Sequence, residues 1–190
     1  MQIYLVTGNA KKLREWQGIL PDDISMESTA IDLVEIQSDN PEDIVIDKAK
    51  RAYEHIGKPV VVEDVAAGLD KFGGLPGPYI KYFVKELGGD ALHKIASSDA
   101  EPGTVTCTVA YYDGNSVITA KGVVHGTIVP PRGDDAFSFD VVFVPDGEIQ
   151  TFAEMTAEKK NSLSHRRKAI EAFITAFHES QHQTKSDDQN

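Results

Sequence analysis

The sequence has one cysteine, few basic residues and no long hydrophobic run. Cys107 alone excludes an intrachain disulfide framework and a zinc site built from cysteines, so we expect a reducing, cytoplasmic environment. A net charge of −11 argues against a nucleic-acid polymer as partner, because its phosphates repel acidic protein. No segment approaches the ~18 apolar residues of a membrane span, and residues 1–6 lack the basic start of a signal peptide.

The residues present are typical of a globular domain. A length of 190 residues with an apolar content of 41% suits one domain, or two lobes that share a core. We expect this domain to span residues 1–178 and the polar tail 181–190 to be disordered.

Residues 60–64, Val-Val-Val-Glu-Asp, are the most informative segment. Three valines predict a buried strand, which we expect to end at the adjacent Glu63 and Asp64. Side chains on a strand alternate between its faces, so the two carboxylates cannot both face one cleft. One of them would then face an open site at the carboxyl end of the strand, where α/β sheets bind ligands. Alternatively, both acids only mark where the strand reaches the surface.

A second pattern follows the short strand predicted at residues 2–6. The segment 7–12 reads Thr-Gly-Asn-Ala-Lys-Lys, and apolar residues at helical spacing predict a helix from about Ala10. This corner would direct backbone N–H groups and lysines at one point, which suits a phosphate. The glycine spacing is not that of a P-loop, and a solvated lysine pair is the alternative.

The rest of the chain predicts alternating strands and helices. Asn40 as N-cap, Pro41 and the later Gly57 delimit a helix that carries Lys48 on its buried face. Lys48 either extends toward water or delivers a cation into a cleft. Further segments are a strand at 24–26, an extended stretch at 31–36, helices at 78–87 and 90–96, a hairpin of 104–112 and 117–124, a strand at 141–144 and a helix at 162–177.

Basic residues crowd the start of the last helix, where they oppose the helix dipole. Either an anion binds there or the turn is solvated.

Six blocks along the chain together resemble the inosine triphosphate pyrophosphatase family. They are residues 7–12, 62–64, 73–80 (Gly-Gly-Leu-Pro-Gly-Pro-Tyr-Ile), 137–140, 151–155 and 161–166, the last with the core Ser164-His165-Arg166. The resemblance implies an elongated, two-lobed α/β fold with a mixed, twisted central sheet flanked by helices and a deep cleft between the lobes. It also implies a homodimer that hydrolyses ITP, dITP and XTP to monophosphate and pyrophosphate with Mg²⁺, for which Mn²⁺ is a possible substitute.

The resemblance also implies roles for individual residues. Asp64 and Glu35 match the metal ligands, and Asp64, Lys48 and Glu63 match the catalytic positions. Residues implied to bind the substrate are Thr7, Gly8, Asn9, Lys11, Lys12 and Lys160 for the phosphates, and Phe137, Phe139, Asp140, His165 and Arg166 for the base.

Several positions depart from the family pattern. Val65 stands where a hydroxyl residue usually follows the Glu-Asp pair, Ser138 replaces a glycine, and Phe139 replaces a tryptophan or tyrosine. Two alternatives therefore stay open: a Maf-like nucleotide pyrophosphatase with another base preference, and a nucleotide-binding module without turnover. The Ser164-His165-Arg166 core argues against the first, and only Val65 favours the second.

Overall fold

The computed structural model describes residues 2–133 and 138–187, without the side chains of Lys11, Ser138 and residues 182–187. Its strands are β1 (Gln2–Val6), β2 (Ser25–Thr29), β3 (Val60–Leu69), β4 (Pro76–Gly77), β5 (Glu101–Tyr112), β6 (Val117–Ile128) and β7 (Phe143–Pro145). Its helices are α1 (Ala10–Gln17), α2 (Pro41–Ile56), α3 (Ile80–Leu87), α4 (Ala91–Ile95), α5 (Ala157–Leu163) and α6 (His165–Asp187), with 3-10 turns at Asp70–Phe72 and Ser138–Val141.

The strands form one mixed sheet in the order β2-β1-β3-β5-β6-β7, and β4 pairs with β3. β1 is parallel to both β2 and β3, whereas β3 with β4 and β6 with β7 are antiparallel. The predicted α/β class with a mixed sheet and flanking helices is confirmed. The elongated shape and the deep cleft stay predictions.

The residues fall into two compact units, each built from several segments of the chain. The first unit comprises Met1–Asp64, Thr108–Gly122 and Arg166–Asn190, and the second comprises Val65–Cys107 and Val123–His165. Among residues 2–133 and 138–187, the helices are too short or too polar to form a transmembrane segment.

In the first unit, helix α2 packs on the sheet as its apolar spacing predicts. Val45, Ala49 and Ala52 are fully buried and share a core cluster with Val60 and Val62 of β3. Both predicted ends of α2 are confirmed. Its start is capped because the Asn40 side chain accepts a hydrogen bond from the Glu42 N–H, and its end is Gly57 at φ 66°.

In the second unit, aromatic and aliphatic side chains of the sheet and its loops form a separate core, including Leu69, Phe143 and Phe152. Gly68 is required by backbone packing, because a Cβ there would lie 1.8 Å from the Gly74 carbonyl oxygen.

The predicted end of the valine strand at Asp64 is wrong. β3 continues to Leu69, and Ala67 and Gly68 pair with Gly77 and Pro76 of β4. The two carboxylates therefore lie in the middle of a ten-residue strand. The strand continues because the residues after Asp64 are small and apolar and pair with β4, which follows eight to ten residues later in the chain.

Other element boundaries also differ from the prediction. β2 begins at Ser25 and continues to Thr29, and β7 begins only at Phe143 because a 3-10 turn occupies the residues before it. The predicted last helix is two helices, because Ser164 between them has an extended backbone, φ −69° and ψ 155°. α6 runs to Asp187, beyond the predicted end at residue 177. Residues 181–187, predicted to be disordered, are thus helical, and residues 188–190 lie outside the described residues.

Candidate functional site

The turn that leads into α1 is held by hydrogen bonds of Thr7. Its N–H donates to the Thr29 carbonyl at 2.9 Å, and its hydroxyl accepts from the Asn9 N–H at 3.1 Å. α1 begins at Ala10, as predicted. Thr7, Gly8 and Asn9 thus precede the helix start in an ordered turn, and the lysine positions 11 and 12 lie in its first turn, an arrangement that favours an anion.

Glu63 is the centre of a buried ion-pair network in the first unit. Its carboxylate lies 2.8 Å from Lys12 Nζ and 3.0 Å from Arg166 Nη2. It also accepts hydrogen bonds from Arg166 Nε at 3.0 and 3.1 Å, and from the Trp16 indole N–H at 3.0 Å. Arg166 reaches a second carboxylate through Nη1, which is 2.6 Å from Glu15. The positive charge at the start of α6 is therefore paired with carboxylates of the chain.

Electrostatics keep Glu63 ionised despite its burial. Desolvation raises the pKa of its carboxyl group, but the charges of Arg166 and Lys12 and their hydrogen bonds outweigh burial and hold the pKa well below its usual range. A permanently charged carboxylate enclosed by donors is suited to orienting its partners. Glu63 thus occupies the position of an anchor for Lys12 and Arg166.

Lys48 forms an ion pair with Glu35, one of the two predicted metal-binding carboxylates. Its Nζ is 2.6 Å from Glu35 Oε1 and 3.5 Å from the Glu63 carbonyl oxygen. Burial lowers the pKa of Lys48 and the charge of Asp64 opposes that shift, so the Asp64 carboxylate also acts on the ammonium. The Lys48 ammonium thus pairs with the Glu35 carboxylate and is influenced by the charge of Asp64, which fits a cation delivered to a site.

The carboxylates around Lys48 suit a magnesium ion that is also bound by substrate. Among residues 2–133 and 138–187, no group of three or more His, Cys, Asp or Glu side chains could hold a metal ion. Magnesium usually takes one or two carboxylates and completes its shell with phosphate oxygens and water. Glu35 and Asp64 provide such oxygens.

A second group of predicted residues lies in the second unit. Asp140 and Lys160, both largely buried, form an ion pair, and Lys160 Nζ lies 5.3 Å from the centroid of the Phe152 ring. The buried His165 ring contacts both Phe139 and Phe152, with centroid distances of 6.1 and 6.0 Å. The group combines flat apolar surfaces with a carboxylate, an ammonium and an imidazole, which suits a heterocyclic ring bearing donors and acceptors.

The structure thus collects the predicted residues into two groups. Those of the first unit are Thr7, Gly8, Asn9, Lys12, Glu35, Lys48, Glu63, Asp64 and Arg166, and those of the second are Phe139, Asp140, Lys160 and His165. Phe137 lies outside the described residues, as does the Lys11 side chain.

Sequence reasoning missed three contributors: Glu15, Trp16 and Phe152. Glu15 and Trp16 follow Lys12 by three and four positions, so helical spacing placed all three on one face of α1.

The chain is similar in sequence to one protein family over nearly its whole length. The profile of the Ham1 family matches residues 3–176. The inosine triphosphate pyrophosphatase of Yarrowia lipolytica is 44% identical over 189 residues, 97% of this chain and 100% of that protein. The inosine triphosphate pyrophosphatase of Schizosaccharomyces pombe is 39% identical over 167 residues, 86% of this chain and 88% of that protein.

Two solved structures share the fold. The Ham1 protein of Staphylococcus aureus superposes with a TM-score of 0.79 at 24% identity, covering 95% of this chain and 100% of that one. The nucleoside-triphosphatase / dITP/XTP pyrophosphatase of Mycobacterium abscessus superposes with a TM-score of 0.71 at 25% identity, covering 90% of this chain and 98% of that one.

Proposed function

The chain belongs to the Ham1 family, and from this we propose that it hydrolyses ITP, dITP and XTP to the monophosphate and pyrophosphate. The observation that carries the proposal is the near full-length similarity to proteins named inosine triphosphate pyrophosphatase. The activity would remove deaminated purine nucleotides before polymerases use them.

Glu35 and Asp64 would hold Mg²⁺, with Mn²⁺ as a possible substitute. The charges around them support a divalent ion: three cations, Lys12, Lys48 and Arg166, are associated with four carboxylates, Glu15, Glu35, Glu63 and Asp64. This set has no surplus positive charge to offset a triphosphate, which carries about four negative charges. When bound, the ion would neutralise phosphate charge and lower the pKa of a coordinated water.

Asp64 is the proposed proton acceptor. A water oxygen forms a bond to the α-phosphorus, the bond to the α–β bridging oxygen breaks, and pyrophosphate leaves while the Asp64 carboxylate takes the water proton. Lys48 stabilises the charge that develops on the phosphate oxygens. Glu63 assists by holding Lys12 and Arg166, since its own oxygens already accept hydrogen bonds from these side chains.

The ordered turn before α1 supports phosphate binding in this scheme. The N–H groups at the start of the helix and Lys12 would contact the triphosphate, and we assign the same task to Lys11 and Lys160. Thr7 contributes by fixing the turn through its hydroxyl.

Base selection is assigned to Phe139, Asp140, His165 and Arg166, with Phe137 as a further stacking residue. Hypoxanthine and xanthine have a 6-keto acceptor where adenine has an amino donor. A site with N–H donors at that position rejects adenine, because pairing donor with donor leaves both unsatisfied. Stacking on flat side chains favours any purine and therefore adds affinity more than selectivity.

We further propose a homodimer located in the cytoplasm. The lone, buried Cys107 is consistent with a reducing compartment, and the homodimer follows from the family resemblance. Light scattering coupled to gel filtration measures the oligomeric state. A mass of two chains is expected, and a single peak with the mass of one chain would contradict the proposed dimer.

A panel of nucleoside triphosphates, assayed for pyrophosphate with and without Mg²⁺, tests the function. We expect fast release from ITP, dITP and XTP, little from ATP or GTP, and none after chelation of the metal. ITP binding without turnover would instead indicate a regulatory module, and preference for a modified or pyrimidine nucleotide would indicate a Maf-like enzyme.

A further inference from the structure

We infer that Trp16 is a positioning residue for base selection: its indole N–H holds the Glu63 carboxylate, which in turn holds the Arg166 guanidinium. The inference rests on the proposed function, in which Arg166 reads the base. It adds a residue outside that function's contacts, since Trp16 acts on the substrate only through two other side chains.

Packing holds the Trp16 ring in a single orientation, which fixes the direction of its indole N–H. The side chain is fully buried, and its ring packs edge-on against Phe173 with centroids 5.8 Å apart and planes at 66°. The indole N–H points at Glu63 Oε2 across 3.0 Å. A buried ring enclosed by packing cannot turn its N–H elsewhere without displacing neighbours.

The donors to Glu63 are distributed unequally over its two oxygens. Oε1 receives Lys12 Nζ together with Arg166 Nε and Nη2, at 2.8, 3.0 and 3.0 Å. Oε2 receives the Trp16 N–H at 3.0 Å and shares Arg166 Nε at 3.1 Å. Without the indole, nearly all donors would lie on Oε1. The Trp16 N–H therefore gives Oε2 a donor of its own and so fixes the rotation of the carboxylate plane.

The carboxylate plane determines where the planar guanidinium lies. Arg166 Nε lies within 0.1 Å of equal distance from the two Glu63 oxygens, 3.0 and 3.1 Å, and Nη1 is fixed by Glu15 at 2.6 Å. A guanidinium recognises acceptors through donors at fixed angles, so a rotated carboxylate would misdirect those donors. A misplaced donor weakens discrimination between a keto acceptor and an amino donor while leaving the rest of substrate binding intact.

Trp16→Phe tests the inference, because it keeps an aromatic ring against Phe173 and removes only the N–H. The measurement is the ratio of kcat/KM for ITP to kcat/KM for ATP. We expect this ratio to fall about tenfold, the lower end of the effect of one hydrogen bond to a charged group. A purely structural loss would reduce the active fraction for both nucleotides alike and leave the ratio unchanged.

Phe173→Leu is the matched control. Phe173 packs on the same indole ring but donates no hydrogen bond, so this variant should lower the melting temperature and keep the ratio. A ratio that falls equally in both variants, or in neither, overturns the inference. Absence of ITP turnover in the wild-type chain is a different result, because it overturns the proposed function and with it this inference.

A second measurement does not depend on turnover or on the stability of Trp16→Phe. The chain has one tryptophan, so its NMR spectrum contains one indole N–H resonance. Arg166→Lys replaces the guanidinium with a single ammonium and should move that resonance through Glu63, whereas Arg167→Lys, which alters the pair with Glu171, should not. An indole resonance that stays in place in Arg166→Lys contradicts the network.

Discussion

Neutralising Glu63 should destabilise the fold far more than neutralising an exposed carboxylate. In Glu63→Gln the shape of the side chain is nearly retained, but the charge that pairs with Lys12 and Arg166 is lost. The Glu63 side chain is only 2% exposed, that of Arg166 11% and that of Lys12 24%, so water replaces the missing carboxylate only in part. Arg166 keeps Glu15, whereas Lys12 is left with its charge beside a neutral amide.

The magnitude follows from this burial. Removing one member of a buried ion pair costs about 3–5 kcal/mol, a large part of the ~5–15 kcal/mol that holds a typical domain folded. At roughly 2–4 °C per kcal/mol for a chain of this size, the melting temperature should fall by about 6–20 °C.

Urea unfolding followed by circular dichroism at neutral pH measures the difference. Circular dichroism is preferred to fluorescence because Trp16 itself contacts Glu63. The control is Glu171→Gln, whose carboxylate pairs with Arg167 on the surface of α6 at side-chain exposures of 52% and 37%. We expect the control to change the free energy of unfolding by less than ~1 kcal/mol. Equal, small losses in the two variants would refute the reasoning that burial makes the Glu63 network decisive.

Three further predictions concern chemistry and pH. Asp64→Asn should abolish pyrophosphate release from ITP while leaving the circular dichroism spectrum unchanged, because it removes the proton acceptor at constant volume; near-normal turnover would exclude that role. Arg166→Ala should raise KM for ITP more than it weakens Mg²⁺ binding measured by calorimetry, and unchanged ITP kinetics would exclude base recognition. Burial, then the charge of Asp113, raises the pKa of Tyr111 to about 12, above its unfolded value near 10. The neutral phenol therefore stabilises the fold below pH ~10, and this contribution disappears as the pH rises toward 12. The free energy of unfolding of wild type should thus fall relative to Tyr111→Phe in this alkaline range, and parallel curves would contradict it.

Local sequence signals predicted those elements whose ends depend on nearby residues. Asn40, Pro41 and Gly57 delimit α2 because a cap, a fixed φ and a left-handed residue act within one helical turn. The turn between β5 and β6 is similarly local, since the Asp113 side chain accepts from the N–H groups of Asn115 and Ser116.

Boundaries that depend on pairing with another segment were predicted less well. Valine and carboxylate residues indicated that β3 ends at Asp64, yet the strand continues to Leu69 and its last part pairs with β4. The break between α5 and α6 has a local signal that the predicted single helix overlooked, because Ser164 directly precedes α6 with an extended backbone and serine is favoured at a helix N-cap.

Motifs and periodicity lie in neighbouring positions, so the sequence was enough to indicate the family and the α/β class and to name most residues of the candidate site. How those residues pair depends on the folded chain. Glu63 meets Trp16 across 47 positions and Arg166 across 103, and Arg166 meets Glu15 across 151. Such partners are chosen by sheet order and helix packing, which no local pattern encodes. The carboxylate predicted to act in catalysis was thereby placed in a buried network that holds a lysine and an arginine.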